Sequence, residues 1–107
     1  MEIESNKTYL FKILWSKTYI AIGVDKKQKN KSTRPITELY FWPREDSWKL
    51  LKNELDNKPW LPNLDKIEIL NTYNLIINYW LNNVEITNLK QIFIHSKDLN
   101  FQIIGTI

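Results

Sequence analysis

There is no cysteine in these 107 residues, so disulfides, thiolate nucleophiles and thiolate metal sites are excluded together. Histidine occurs once, as His95, which leaves imidazole metal clusters and Ser-His or Cys-His pairs with almost nothing to draw on. The two glycines, Gly23 and Gly105, cannot build a phosphate-cradling glycine-rich loop. The adjacent acids Glu45 and Asp46 sit where a helix begins, and the positive end of the helix dipole accounts for them without acid–base chemistry. No apolar run approaches about 20 residues, so no membrane span is expected. The opening MEIESNKTYL carries Glu2 and Glu4 and has the pattern of neither a secretory signal nor a transit peptide. The expectation is a non-enzymatic protein with no catalytic residues, metal, cofactor or small-molecule substrate.

What is present is aromatic and basic. Phe, Trp and Tyr make up 13% of the chain, and three of the five tryptophans fall in residues 37–60, TELYFWPREDSWKLLKNELDNKPW. Leu39, Tyr40, Phe41 and Trp42 have the composition of a buried strand, and Pro43 ends it, because proline has no N–H for a ladder. The fixed φ of Pro43 suits a first helical position, so a helix is predicted over 44–57. Trp48, Leu51 and Leu55 recur at steps of three and four on one face of it, and Lys58 before Pro59 stops it. Trp60, between Pro59 and Leu61, is expected to plug the corner leading to the next helix.

Upstream, Tyr9, Phe11, Ile13 and Trp15 alternate with Leu10, Lys12 and Leu14, which predicts a strand with one aromatic face. A second strand, residues 19–24, follows after three short polar residues, so the pair reads as a hairpin, with Gly23 marking a bulge or a close backbone approach. Downstream, Asn63 as N-cap and Asp65 in the first turn open a second helix over 64–81. Its apolar face is Ile67, Leu70, Tyr73, Ile77 and Trp80 or Leu81, widened by Leu75, Ile76 and Tyr79. Residues 89–94 have strand propensity, while Thr87 as an N-cap with Leu89, Ile92 and Phe93 favours a short helix over 88–95. Residues 100–104 read as a last strand. The predicted fold is one α+β domain over 1–107: a small antiparallel sheet, made of the hairpin, a strand over 36–42 and the strand over 100–104, packed on two main helices and the short third one.

Charge is uneven. Residues 1–34 carry eight Lys or Arg against Glu2, Glu4 and Asp25, whereas the whole chain has a net charge of only +3. Five of those cations, Lys26, Lys27, Lys29, Lys31 and Arg34, fall in DKKQKNKSTR, residues 25–34, which has no apolar side chain. Such a segment is either a solvated loop or a phosphate-binding one, ordered when nucleic acid supplies the countercharge. Arg44, at a helix start, has the planar fork that suits phosphate. Lysine is a point charge, so these contacts position a protein on RNA without reading bases. The candidate RNA-binding residues are Lys26, Lys27, Lys29, Lys31, Arg34 and Arg44.

The run PITELYFWPREDSWKLLKNELDNKPW, followed by KIEILN and INYW, resembles the plastid-specific ribosomal protein three family of chloroplasts and cyanobacteria. FKILW and AIGVD are similar to its opening strands, so the likeness spans roughly residues 9–80; the tail matches more loosely, through Leu89, Phe101 and Gly105. The resemblance implies a structural constituent of the small subunit of a plastid ribosome, with small-subunit ribosomal RNA and neighbouring ribosomal proteins as partners and no active site. The loop over 25–34 is more lysine-rich than the family pattern. A different reading is a protein-interaction adaptor, in which the wide apolar face of the second helix docks a partner and the lysines confer solubility.

Overall fold

The computed structural model describes residues 8–28, 30, 32–43, 46–94, 96 and 98–107. Strands β1 (Tyr9–Trp15) and β2 (Ile20–Lys27) form the expected antiparallel hairpin, with Phe11 opposite Val24 and Ile13 opposite Ile22. Period-two alternation puts Tyr9, Phe11 and Ile13 with Ile20, Ile22 and Val24 on one buried face. Helices cover that face.

Of the strand expected over 36–42 only residues 40–42 are strand, and residues 33–35, upstream of it, form a separate one. β3 (Thr33–Pro35) pairs with the end of β2 and β4 (Tyr40–Trp42) with its beginning. Between them the N–H groups of Ile36 and Thr37 both donate to the Val24 carbonyl, at 2.9 and 3.2 Å. Two residues facing one is the geometry of a bulge, and the Thr37 hydroxyl stabilises it by accepting from the Val24 N–H at 2.9 Å. Gly23 makes the close approach its sequence position suggests: a Cβ there would lie 3.2 Å from both the Glu38 carbonyl oxygen and a Leu39 methyl.

Helix α1 (Ser47–Asp56) starts later than its expected bound at 44. Pro43 is not its first residue; it lies in a turn after a cis peptide bond with Trp42. Asp46 caps the helix instead, its carboxylate accepting from the Lys49 N–H at 3.2 Å. Helix α2 (Asn63–Leu81) matches expectation in length, but Pro62 occupies the cap position and Asn63 is the first helical residue. Its buried face is also rotated from the predicted one: Ile69, Tyr73, Ile76 and Ile77 are inside, while Ile67, Leu75 and Leu81 are about half exposed. The Tyr73 hydroxyl donates to Ser47 Oγ, joining the two helices.

A 3₁₀ turn over Ile86–Leu89 runs into α3 (Lys90–Phe93), so the helical alternative holds for this segment. Phe93 stacks on Phe101 at 4.8 Å between ring centroids and meets Phe11 at 5.7 Å. β5 (Leu99–Thr106) then lies beside β1, running parallel to it. The sheet is therefore mixed, not wholly antiparallel, with order β3-β2-β1-β5 and β4 sharing the β2 edge. The helices form a crossover connection that returns the chain to the far side of β1 in the parallel sense. The α+β class and the two main helices are as expected.

Candidate nucleic-acid interface

The segment over 25–34 is a hairpin end with strands on both sides. Asp25, Lys26 and Lys27 belong to β2, and Arg34 belongs to β3. The Lys27 N–H donates to the Thr8 carbonyl at 2.7 Å, and the turn closes through the Gln28 N–H to the Ser32 carbonyl at 2.8 Å. Asp25 is buried, and Lys12 on the neighbouring strand holds its carboxylate at 3.1 Å. That pair fixes the root of the hairpin from which the cations project.

The antiparallel register sets Lys26 directly opposite Arg34. Like charges facing each other across a ladder are mutually destabilising unless a countercharge intervenes. Among the described residues the ion pairs are Lys12 with Asp25, Lys52 with Asp56 and Lys58 with Glu54, so neither Lys26 nor Arg34 meets a carboxylate. Both line a cleft of about 680 Å³ with Lys27, Gln28, Pro35, Ile36, Lys58 and Trp60.

Lys58 and Trp60 come from the corner between α1 and α2, a sequence distance of more than twenty residues. The chain turns there through the Leu61 N–H to the Lys58 carbonyl at 3.0 Å. Leu61, 2% exposed, is the residue that fills the corner. Trp60 does not have that role: it is 51% exposed, and the Lys26 ammonium lies 5.0 Å from its ring centroid, a cation–π contact. Lys58 leans on Glu54 at 3.8 Å. Glu54 also accepts from the Tyr40 hydroxyl and, at 3.4 Å, from the Glu38 N–H.

Of the six sequence candidates, Lys26, Lys27 and Arg34 are thus brought together. Lys29, Lys31 and Arg44 lie outside the described residues, as do Glu45 and His95. Lys58 and Trp60 were missed because no local pattern reports a contact between a β-hairpin and a distant helix corner. The one hint was a tryptophan flanked by two prolines and a lysine.

Elsewhere, Tyr9 donates from its hydroxyl to Asp65 at 2.6 Å, tying β1 to the first turn of α2. Burial first, then the Asp65 carboxylate, push that hydroxyl's pKa well above the ordinary tyrosine range. Among the described residues no group of three His, Cys, Asp or Glu could hold a metal ion, and no helix is long and apolar enough to cross a membrane. Fold and cleft define a small α+β domain with a basic surface cleft lined in part by an indole ring.

The model of the plastid and cyanobacterial ribosomal protein family (PSRP-3 / Ycf65) matches residues 36–83. The small ribosomal subunit protein cS23 of Gracilaria tenuistipitata var. liui is 40% identical over 98 residues, covering 92% of this chain and 96% of that protein. The protein of the same name in Cyanidium caldarium is 44% identical over 95 residues, 87% of this chain and 93% of its own length. The probable small ribosomal subunit protein cS23 of Synechococcus sp. (strain JA-2-3B'a(2-13)) is 45% identical over 75 residues, 69% and 74% of the two chains. The chain belongs to the plastid and cyanobacterial ribosomal protein family. An alignment over 92% of the chain also extends past residue 80, where the sequence resemblance is loose.

Proposed function

We propose that this chain is a structural constituent of the small subunit of a plastid ribosome, supporting translation without catalysing a step of it. Family membership and the names of its relatives support the ribosomal role. Ribosomal RNA is proposed as the partner of the cleft, its phosphates taken by Lys26, Lys27 and Arg34, and Lys29, Lys31 and Arg44 are proposed as further RNA contacts. The observation that carries this is the Lys26 and Arg34 pairing, two cations opposed on a ladder with no carboxylate between them among the described residues. Phosphate is the countercharge such a pair lacks. The recognition is of backbone shape, since most of the cations are lysines.

Neighbouring small-subunit proteins are proposed to meet the outward side of α2, where Leu64 is 79% and Ile67 55% exposed. This is the surface that the adaptor reading would use alone, and a salt titration separates the two. With four to six phosphate contacts, affinity for small-subunit RNA falls by roughly two to three decades between about 50 and 200 mM salt. The Lys26→Gln/Arg34→Gln variant weakens association and lowers the slope of log affinity against log salt by roughly 1.5. A flat salt dependence, with association unchanged in that variant, would favour the adaptor.

A further inference from the structure

The cleft holds more than phosphate ligands need. Phosphate oxygens are satisfied by cations alone, yet one wall is apolar, built from Pro35, Ile36 and the half-exposed ring of Trp60. A half-exposed tryptophan at a helix corner is unusual, because the indole is ordinarily largely buried. Here the ring is kept on the surface by Leu61 taking the buried position next to it. What shields it is the Lys26 ammonium, at 5.0 Å, with Arg34 facing Lys26 across the ladder. An aromatic face beside two cations that meet no carboxylate among the described residues is the combination by which proteins hold single-stranded RNA, the base on the ring and the backbone on the charges.

We propose that this cleft binds one unpaired nucleotide of ribosomal RNA, with its base stacked on Trp60 and its phosphates held by Lys26 and Arg34. The inference rests on the RNA reading above and narrows it from backbone shape to a loop, bulge or end with a splayed base. A base paired in the interior of a duplex cannot supply the contact, since both its faces are stacked. Lys26 moves from ring to phosphate as the base arrives, so a cation–π contact is exchanged for stacking and a charge pair. The volume, about 680 Å³, lies within the range of pockets that enclose a small organic group. An acidic protein segment would satisfy the cations but leave the indole and Pro35 uncovered. Stacking is tolerant of base identity, so no sequence preference is expected.

The test uses the full chain with a single-stranded oligoadenylate and a blunt RNA duplex of equal phosphate number, at one salt concentration. The single strand binds about tenfold more tightly. Trp60→Leu removes that preference, with about a tenfold loss on the single strand, while duplex binding and the salt slope stay the same. Trp60→Tyr restores most of the preference, which a merely structural role for the indole would not do. A thermal melt establishes that each variant is folded. Equal binding of single strand and duplex, or unchanged single-strand binding by folded Trp60→Leu, overturns the stacking proposal. Polyglutamate displacing the oligonucleotide at lower concentration than duplex RNA does would assign the cleft to an acidic protein and overturn it as well. If Lys26→Gln/Arg34→Gln loses affinity while Trp60→Leu does not, stacking falls and phosphate anchoring stands. If neither loses affinity, both fall.

Discussion

Lys12→Met leaves the Asp25 carboxylate inside the protein without its cation. The Asp25 side chain is 2% exposed, its Oδ2 lies 3.1 Å from Lys12 Nζ, and its Oδ1 has no hydrogen-bond partner among the described residues. Removing one member of a fully buried pair costs about 3–5 kcal/mol. The Lys12 side chain is 33% exposed, so water reaches the site once the ammonium is gone, and the expected loss is smaller, about 2–3 kcal/mol. For a domain of this size that is a large part of a total stability of roughly 5–15 kcal/mol. It corresponds to a fall in Tm of about 10 °C and a shift in the urea midpoint of roughly 1–2 M. The double variant Lys12→Met/Asp25→Leu removes both charges and returns to within about 1 kcal/mol of the parent, because no buried ion remains. Urea unfolding followed by tryptophan fluorescence measures all three proteins. Two results refute the reasoning: a Lys12→Met loss below about 0.5 kcal/mol, or a double variant no more stable than the single one. The pair matters to function because Asp25 precedes Lys26 on β2, so a loosened root should also weaken RNA binding before the domain unfolds.

The two glycines are expected to respond unequally to alanine. At Gly23 the new Cβ meets a backbone carbonyl at 3.2 Å, so Gly23→Ala should cost about 1–3 kcal/mol by overpacking. At Gly105 the contact is the tip of the Leu14 side chain at 2.8 Å, which can rotate away, so the loss in the same unfolding assay should be smaller than at Gly23. Tyr9 gives a signature in alkali. Its hydroxyl is held neutral in the fold by burial and by Asp65, whereas in the unfolded chain it ionises near pH 10. Its contribution is therefore complete below about pH 10 and lost as pH rises toward the elevated folded value, and Tyr9→Phe should flatten stability against pH in that window relative to the parent. A parallel decline in both proteins would contradict it.

The elements legible in the sequence were those with a local cause. Alternation of Tyr9, Phe11 and Ile13 gave the first strand and its buried face, and apolar steps of three and four gave both helices. Where a tertiary contact decided the outcome, local reading fell short. The strand over 36–42 looked continuous because nothing nearby reports that the Val24 carbonyl accepts two N–H groups. Pro43 looked like a helix start until Asp46 took the cap. The buried face of α2 differs from the expected one because Ile67 and Ile69, two residues apart, are equally apolar and only packing on α1 and the sheet distinguishes them. The same holds at the cleft. Charge clustering pointed to Lys26, Lys27 and Arg34, but Trp60 joins them through a fold contact spanning more than thirty residues, and an isolated tryptophan between prolines reads as a filler.

A density map of the assembled small subunit containing this chain tests the central claim most directly. We expect ribosomal RNA in the cleft, with phosphate oxygens within hydrogen-bond reach of Lys26 and Arg34 and a base lying flat on Trp60. A cleft open to bulk solvent, with the nearest nucleotide beyond a screening length of about 10 Å, would contradict it.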